Sequence, residues 1–239
     1  GSTGTTRLIG TNASNSNTNR QQGVWLNDAA GVTSLVTSTG GSVTVTGFGG
    51  GSSTGTNNFN YGVAVQNGLI ASGGTGTVNV TGTGGTTTGI NNAGVAFNGS
   101  SLSNGISSSG GVINVTGTGG AGGLSPGVWF VSGLNGSIQS GSNAAINLTT
   151  DSLVMESGAI NAGSGTVTIQ NRSTGTLIDV GGTSADALAS PLKLGVSSAE
   201  LARITAGTVV VGRNDATASG NVTVNATNMG AMGNTSGNL

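Results

Sequence analysis

The sequence contains neither cysteine nor histidine. Without cysteine there are no disulfides and no thiolate chemistry. Without histidine, the commonest general base and metal ligand is missing. Charge is nearly as scarce: Asp, Glu, Lys and Arg make up 5% of the 239 residues, against roughly 25% in ordinary globular domains. Between Ala29 and Thr150 there is none. A net charge of −1 and no basic patch leave no long-range attraction for nucleic acid or anionic lipid. Apolar runs last only a handful of residues, so no helix is expected to span a bilayer. Two prolines and no Gly-X-Y period rule out collagen, despite 48 glycines.

What is present is regular. GSVTVTGFGG from Gly41, GTVNVTGTGG from Gly76 and GVINVTGTGG from Gly111 start 35 residues apart. Each unit holds three short strand-like pieces. The first runs Gly23-Val-Trp-Leu, Gly62-Val-Ala-Val, Gly94-Val-Ala-Phe and Gly127-Val-Trp-Phe. The second includes Ser34-Leu-Val-Thr, Gly68-Leu-Ile-Ala, Asn104-Gly-Ile-Ser and Gly136-Ser-Ile-Gln. The third alternates with period 2, which predicts a strand with one face inward. Its inward set is Val43, Val45, Val78, Val80, Ile113, Val115, Ile146, Leu148, Val167 and Ile169. One unit carries too few apolar residues to fold alone, whereas stacked units share a core.

These features predict an all-β, right-handed parallel β-helix (a β-solenoid) of triangular section and about seven turns. At ~4.8 Å per turn it would be a rod roughly 34 Å long. Residues 23–226 hold the repeats, regular to about 150 and shorter afterwards. Residues 1–22 are expected as a polar tail, cap or linker, and 227–239 as a polar C-terminal tail. The chain opens Gly-Ser-Thr without Met, which reads as a processed product, an excised fragment or a short scar. Extra length in the early units, Thr54–Asn60, Thr86–Asn92 and Gly119–Pro126, reads as loops on one edge. One helical turn is expected after Ser197, with Glu200 at the capping-box position.

The GxVTVTGTGG units, followed by Ala199-Glu-Leu-Ala-Arg-Ile-Thr and on to Arg213, then GNVTVNA, resemble β-strand repeat regions of large secreted bacterial surface proteins. These are of the filamentous-haemagglutinin type, exported by two-partner secretion. The resemblance spans roughly Gly23 to Ala226. It implies a right-handed β-helix serving as an adhesin or surface-fibre shaft, located extracellularly, and it implies no catalytic residues.

Two surface features are candidate sites. If Val24 and Leu26 point inward, then Trp25, Ala64, Ala96 and Trp129 point outward, one per rung. They would form a shelf that stacks a sugar or receives a neighbouring subunit. The alternative is cover by the long loops, with Phe48, Phe59 or Tyr61 folding over. The second feature is an outward column, Thr44/Thr46, Asn79/Thr81, Asn114/Thr116 and Asn147/Thr149. It would hold ordered water as ice-binding arrays do, or simply pair along the stack. Among these only Thr44/Thr46 reads as a Thr-x-Thr pair.

The charges fall late: Asp151, Glu156, Asp179, Asp186, Glu200 and Asp215, with Arg172, Lys193, Arg203 and Arg213. Caps and salt bridges are expected. An enzyme of the pectin-lyase architecture would need three or more such residues converging in one cleft. Calcium is not indicated, because Gly119-Gly-Ala-Gly-Gly lacks the aspartates of a metal-binding repeat. No cofactor is expected. Sequons at Asn79, Asn98, Asn114 and Asn147 follow from Asn/Thr richness. The leading expectation is a structural or interaction protein, not an enzyme, whose main partner is itself in a homopolymer or fibre. A glycan- or ice-binding module is the alternative, and a polysaccharide-cleaving enzyme ranks last.

Overall fold

The computed structural model describes residues 4–14, 18–27, 33–99, 105–183, 186, 192–213, 215 and 218–225. Within them, parallel strands stack from one repeat to the next. The chain first lays down β1 (Thr6–Thr11), β2 (Val24–Leu26) and β3 (Ser34–Ser38). The next passes give β4 (Val43–Phe48), β5 (Val63–Val65) and β6 (Gly68–Ser72), then β7 (Val78–Thr83), β8 (Val95–Phe97) and β9 (Gly105–Ser108). They continue as β10 (Ile113–Thr118), β11 (Val128–Phe130) and β12 (Ser137–Ser140), then β13 (Ile146–Thr150), β14 (Leu153–Met155) and β15 (Ala159–Asn161). The last part holds β16 (Thr166–Gln170), β17 (Leu177–Val180), β18 (Lys193–Val196), α1 (Ser198–Leu201), β19 (Ile204–Thr205), β20 (Thr208–Val211) and β21 (Val222–Val224).

Up to β16 every third strand joins the same sheet. The first sheet is ordered β1-β4-β7-β10-β13-β16-β20, the second β2-β5-β8-β11-β14, and the third β3-β6-β9-β12-β15-β19. This is a solenoid-like stack, and the period-2 pattern explains its core. All ten inward residues named above are buried. They form one continuous cluster with Val63, Val65, Phe97, Phe130, Ile106 and Ile138 from the other sheets. Phe97 and Phe130, in register on β8 and β11, stack with ring centroids 4.5 Å apart. Each fully buried Val, Ile or Leu contributes about 1.5–3 kcal/mol.

The glycine of the repeated Val-Thr-Gly has a packing reason. Gly47, Gly82 and Gly117 occupy one inward register column. A Cβ there would stand 2.0–2.1 Å from the carbonyl oxygens of Gly62, Gly94 and Gly127, which lead into the next sheet. In the following rung the column position is Thr150. Its hydroxyl donates to the Ser152 carbonyl at 2.8 Å, and the chain turns directly into β14 without a long loop. Glycine at this position and the extruded loop therefore occur together.

The loops stack as well. The Gln21 N–H donates to the Asn60 amide oxygen at 2.8 Å, the Asn60 N–H to the Asn92 amide oxygen at 2.9 Å, and the Asn92 N–H to the Ser125 hydroxyl at 3.1 Å. This buried side-chain ladder satisfies backbone donors that no strand pairs.

Two features add to the sequence reading. Within residues 1–22, expected as a tail, cap or linker, Thr6–Thr11 forms a full strand, paired with β4 from Thr6↔Val43 to Thr11↔Phe48. Its inward positions match the repeat in part: Thr6 stands opposite Val43, while Leu8 packs against the core and Gly10 continues the glycine column. Late in the chain, β17 pairs with both β18 and β21, and β18 lies against β14. A strand later in sequence is thus inserted between β14 and β17. The expected helical turn is present as α1, with both hydrogen bonds of a Ser197/Glu200 capping box. The expected 227–239 tail lies outside the described residues.

Candidate functional site

The second sheet carries the four shelf residues. Register aligns Trp25 with Ala64, Ala64 with Ala96 and Ala96 with Trp129, as expected. Their environments diverge. Trp25 is 47% exposed, whereas Ala64 and Ala96 have no exposed surface. Tyr61, arriving with the loop before β5, joins them and Ala93 in a second apolar cluster, against which Phe59 and Trp129 pack. Tyr61 meets Trp129 and Phe59 edge-on, each at 6.3 Å between centroids. Burial pushes the Tyr61 phenol up to about 12, although nearby Arg20 opposes this. The open four-residue shelf is therefore replaced by loop cover in its middle. Phe48 takes no part and stays on the exposed face of the first sheet.

This cover leaves a groove of about 350 Å³ beside Trp129, lined among others by Arg20, Phe59, Tyr61, Gln66 and Asn98. Gln66 accepts the Trp25 indole N–H at 2.9 Å, and Arg20 sits over the Phe59 ring at 5.8 Å. Trp129 also lines a second hollow of about 280 Å³ with Leu124, Val154, Glu156 and Asp186. Its indole N–H donates to Glu156 Oε2 at 3.1 Å, which fixes the ring between the two hollows.

The outward column of the first sheet pairs along the stack. Asn114 donates to Asn79 and Asn147 to Asn114, each at 2.9 Å. Gln170 donates to Thr149, also at 2.9 Å. Thr44 aligns with Asn79, and Thr46, Thr81, Thr116 and Thr149 share one register column. The strands run far enough to add Thr83 and Thr118 on the same face. Thr81/Thr83 and Thr116/Thr118 thus join Thr44/Thr46 as Thr-x-Thr pairs, which the sequence reading, ending the strand early, did not count.

The late charges mostly hold backbone. Asp151 accepts the N–H groups of Arg172 and Ser173 and the hydroxyls of Ser173 and Thr176. Burial alone would raise its pKa, but these hydrogen bonds outweigh it and keep the carboxyl below its ordinary value. Arg172–Asp151, Lys193–Asp179 and Arg213–Asp215 are ion pairs.

Asp186 and Glu200 clip β18 to β14. Gly195 N–H donates to Asp186 Oδ1 at 2.7 Å and the Ser152 hydroxyl to Oδ2 at 2.5 Å, while Met155 N–H donates to Glu200 Oε1 at 2.9 Å. Burial, reinforced by the Glu200 charge, pushes Asp186 up to about 7 against the pull of its hydrogen bonds. Glu156, Asp186 and Glu200 line one hollow of about 250 Å³, so carboxylates do converge there. Each is engaged by N–H or hydroxyl donors, and among the described residues no basic side chain lines it. Among the described residues no cluster of acidic side chains is arranged to hold a metal ion. Among the described residues no helix is long and apolar enough to cross a membrane.

Loop cover by Phe59 and Tyr61, the alternative to an open shelf, is what the structure shows, whereas Gln66, the groove position of Asn98 and the pairing of Asp186 with Glu200 in one clip have no signal in the sequence. A signal existed for the loop ladder: Asn60-Tyr-Gly and Asn92-Ala-Gly precede β5 and β8 at matching positions. Compared with protein-family models, curated proteins and solved structures, the chain gives no match.

Proposed function

We propose that this chain is a structural and interaction protein: a segment of an extracellular surface fibre or adhesin that assembles end to end. In this reading the stack is a right-handed, triangular β-helix of about seven turns, of the filamentous-haemagglutinin kind that its repeats resemble. The observation that carries the proposal is the state of the last strand. Val222 and Val224 are in register with buried Ile178 and Val180. They are nevertheless 52% and 54% exposed. Inward apolar positions left open at a sheet edge favour another strand of the same kind. At the opposite end the outer edge of β1 has no partner strand among the described residues. The last strand, Val222–Val224, carries no charge, so the usual defence against edge pairing is missing there.

The test is negative-stain electron microscopy of the purified chain, with sedimentation at two concentrations. Unbranched filaments that lengthen with concentration, and are lost in the Val222→Lys/Val224→Lys double variant, are the expected result. Discrete rods of constant mass at both concentrations would refute end-to-end assembly.

A further inference from the structure

We infer that the two hollows flanking Trp129 form a binding groove for a short, linear, neutral oligosaccharide. This side-face activity is independent of how the ends assemble. Sugar rings present an apolar C–H face and a rim of hydroxyls, so they are recognised by an aromatic face with amides placed around it. The groove supplies both. Tyr61, Phe59 and Trp129 give the aromatic lining, and Gln66 and Asn98 give amides. Its volume of about 350 Å³ falls in the range of small-ligand sites, roughly 300–1,000 Å³. Trp129 is the wall common to both hollows, so a linear ligand can pass from one to the other across its ring. The Trp129 side chain is held for that purpose by Glu156 on its N–H and by Tyr61 at its edge.

Asn98 gives an independent indication. Its amide oxygen is buried and has no hydrogen-bond partner among the described residues. Such a group is unfavourable in a folded protein unless something else uses it. Among the described residues no donor meets this oxygen, and Asn98 lines the groove, so rotation of its amide can offer the oxygen to a ligand hydroxyl. The charges select against an acidic chain. Glu156 and Asp186 line the far hollow, and Arg20 alone lines the near one.

The chain has two tryptophans, Trp25 and Trp129, so intrinsic fluorescence reports binding directly. Cellotriose, mannotriose and chitotriose are titrated, with trigalacturonate as the acidic comparison. At least one neutral trisaccharide is expected to give a saturable change that persists in Trp25→Phe. Trp129→Ala, read by calorimetry, is expected to weaken binding at least tenfold. Asn98→Ala is expected to weaken binding while leaving the thermal midpoint unchanged or higher, which a purely structural Asn98 would not do. Absence of a saturable change with all three neutral sugars, preference for trigalacturonate, or undiminished affinity in folded Asn98→Ala would overturn the inference.

Discussion

Asp186→Asn should stabilise this protein, and by an amount that depends on pH. Asp186 bridges Ser152 and Gly195 where β18 lies against β14 without a continuous backbone ladder. Its pKa rises from 3.8 to about 7 because burial, and to a smaller extent the Glu200 charge, disfavour the ionised form. A folded-state value above the unfolded one means that ionisation weakens the fold. The penalty is absent below 3.8, grows as pH rises toward 7, and is complete above it. At about 1.36 kcal/mol per pH unit, the interval from 3.8 to about 7 corresponds to on the order of 4 kcal/mol. Asparagine keeps an oxygen for the Gly195 N–H and removes the charge. The chain has no histidine or cysteine, so apart from the α-amino group few other groups titrate between pH 5 and 8. Urea unfolding at pH 5 and pH 9 should place the wild-type midpoint at least about 1 M higher at pH 5. Asp186→Asn should show little difference between the two. A wild-type midpoint that is equal at both pH values, or lower at pH 5, would refute this account of the clip.

Below pH 4 the trend should reverse, because Asp151 is held below its ordinary value by its hydrogen bonds. Its stabilisation is present above 3.8 and is lost as pH falls through its lowered folded value, which acid titration followed by circular dichroism will detect. Asn92→Ala leaves the buried Asn60 N–H without its acceptor and removes donors to Thr87 and Gly89. A loss of about 2–4 kcal/mol is expected, clearly more than for Asn79→Ala on the half-buried outer ladder, and denaturant titration of both variants checks the order. Gly82→Ala puts a Cβ 2.1 Å from the Gly94 carbonyl oxygen. It should destabilise by more than about 2 kcal/mol, seen as a lower midpoint or loss of soluble protein.

The alternating valines and isoleucines by themselves determined the strands, their inward faces and the parallel stacking. A period of two assigns each side chain to a face, and a fixed interval between identical stretches brings like positions into register. The Ser197–Glu200 cap was equally legible, because its hydrogen bonds join residues three apart. What lies over an outward residue is a different matter. Ala64 and Ala96 are outward by period, yet Tyr61 covers them; the sequence offers an open shelf and loop cover as alternatives, and the path of the loop decides between them. The strand at Thr6–Thr11 exists because β4 offers it an edge, not because its own pattern calls for one. The insertion of β18 beside β14, and with it the setting that raises Asp186, arises from long-range packing. Local sequence fixes backbone conformation and the phase of alternation. Cover, burial and the electrostatics that follow depend on which distant segments meet, and only the tertiary structure decides that.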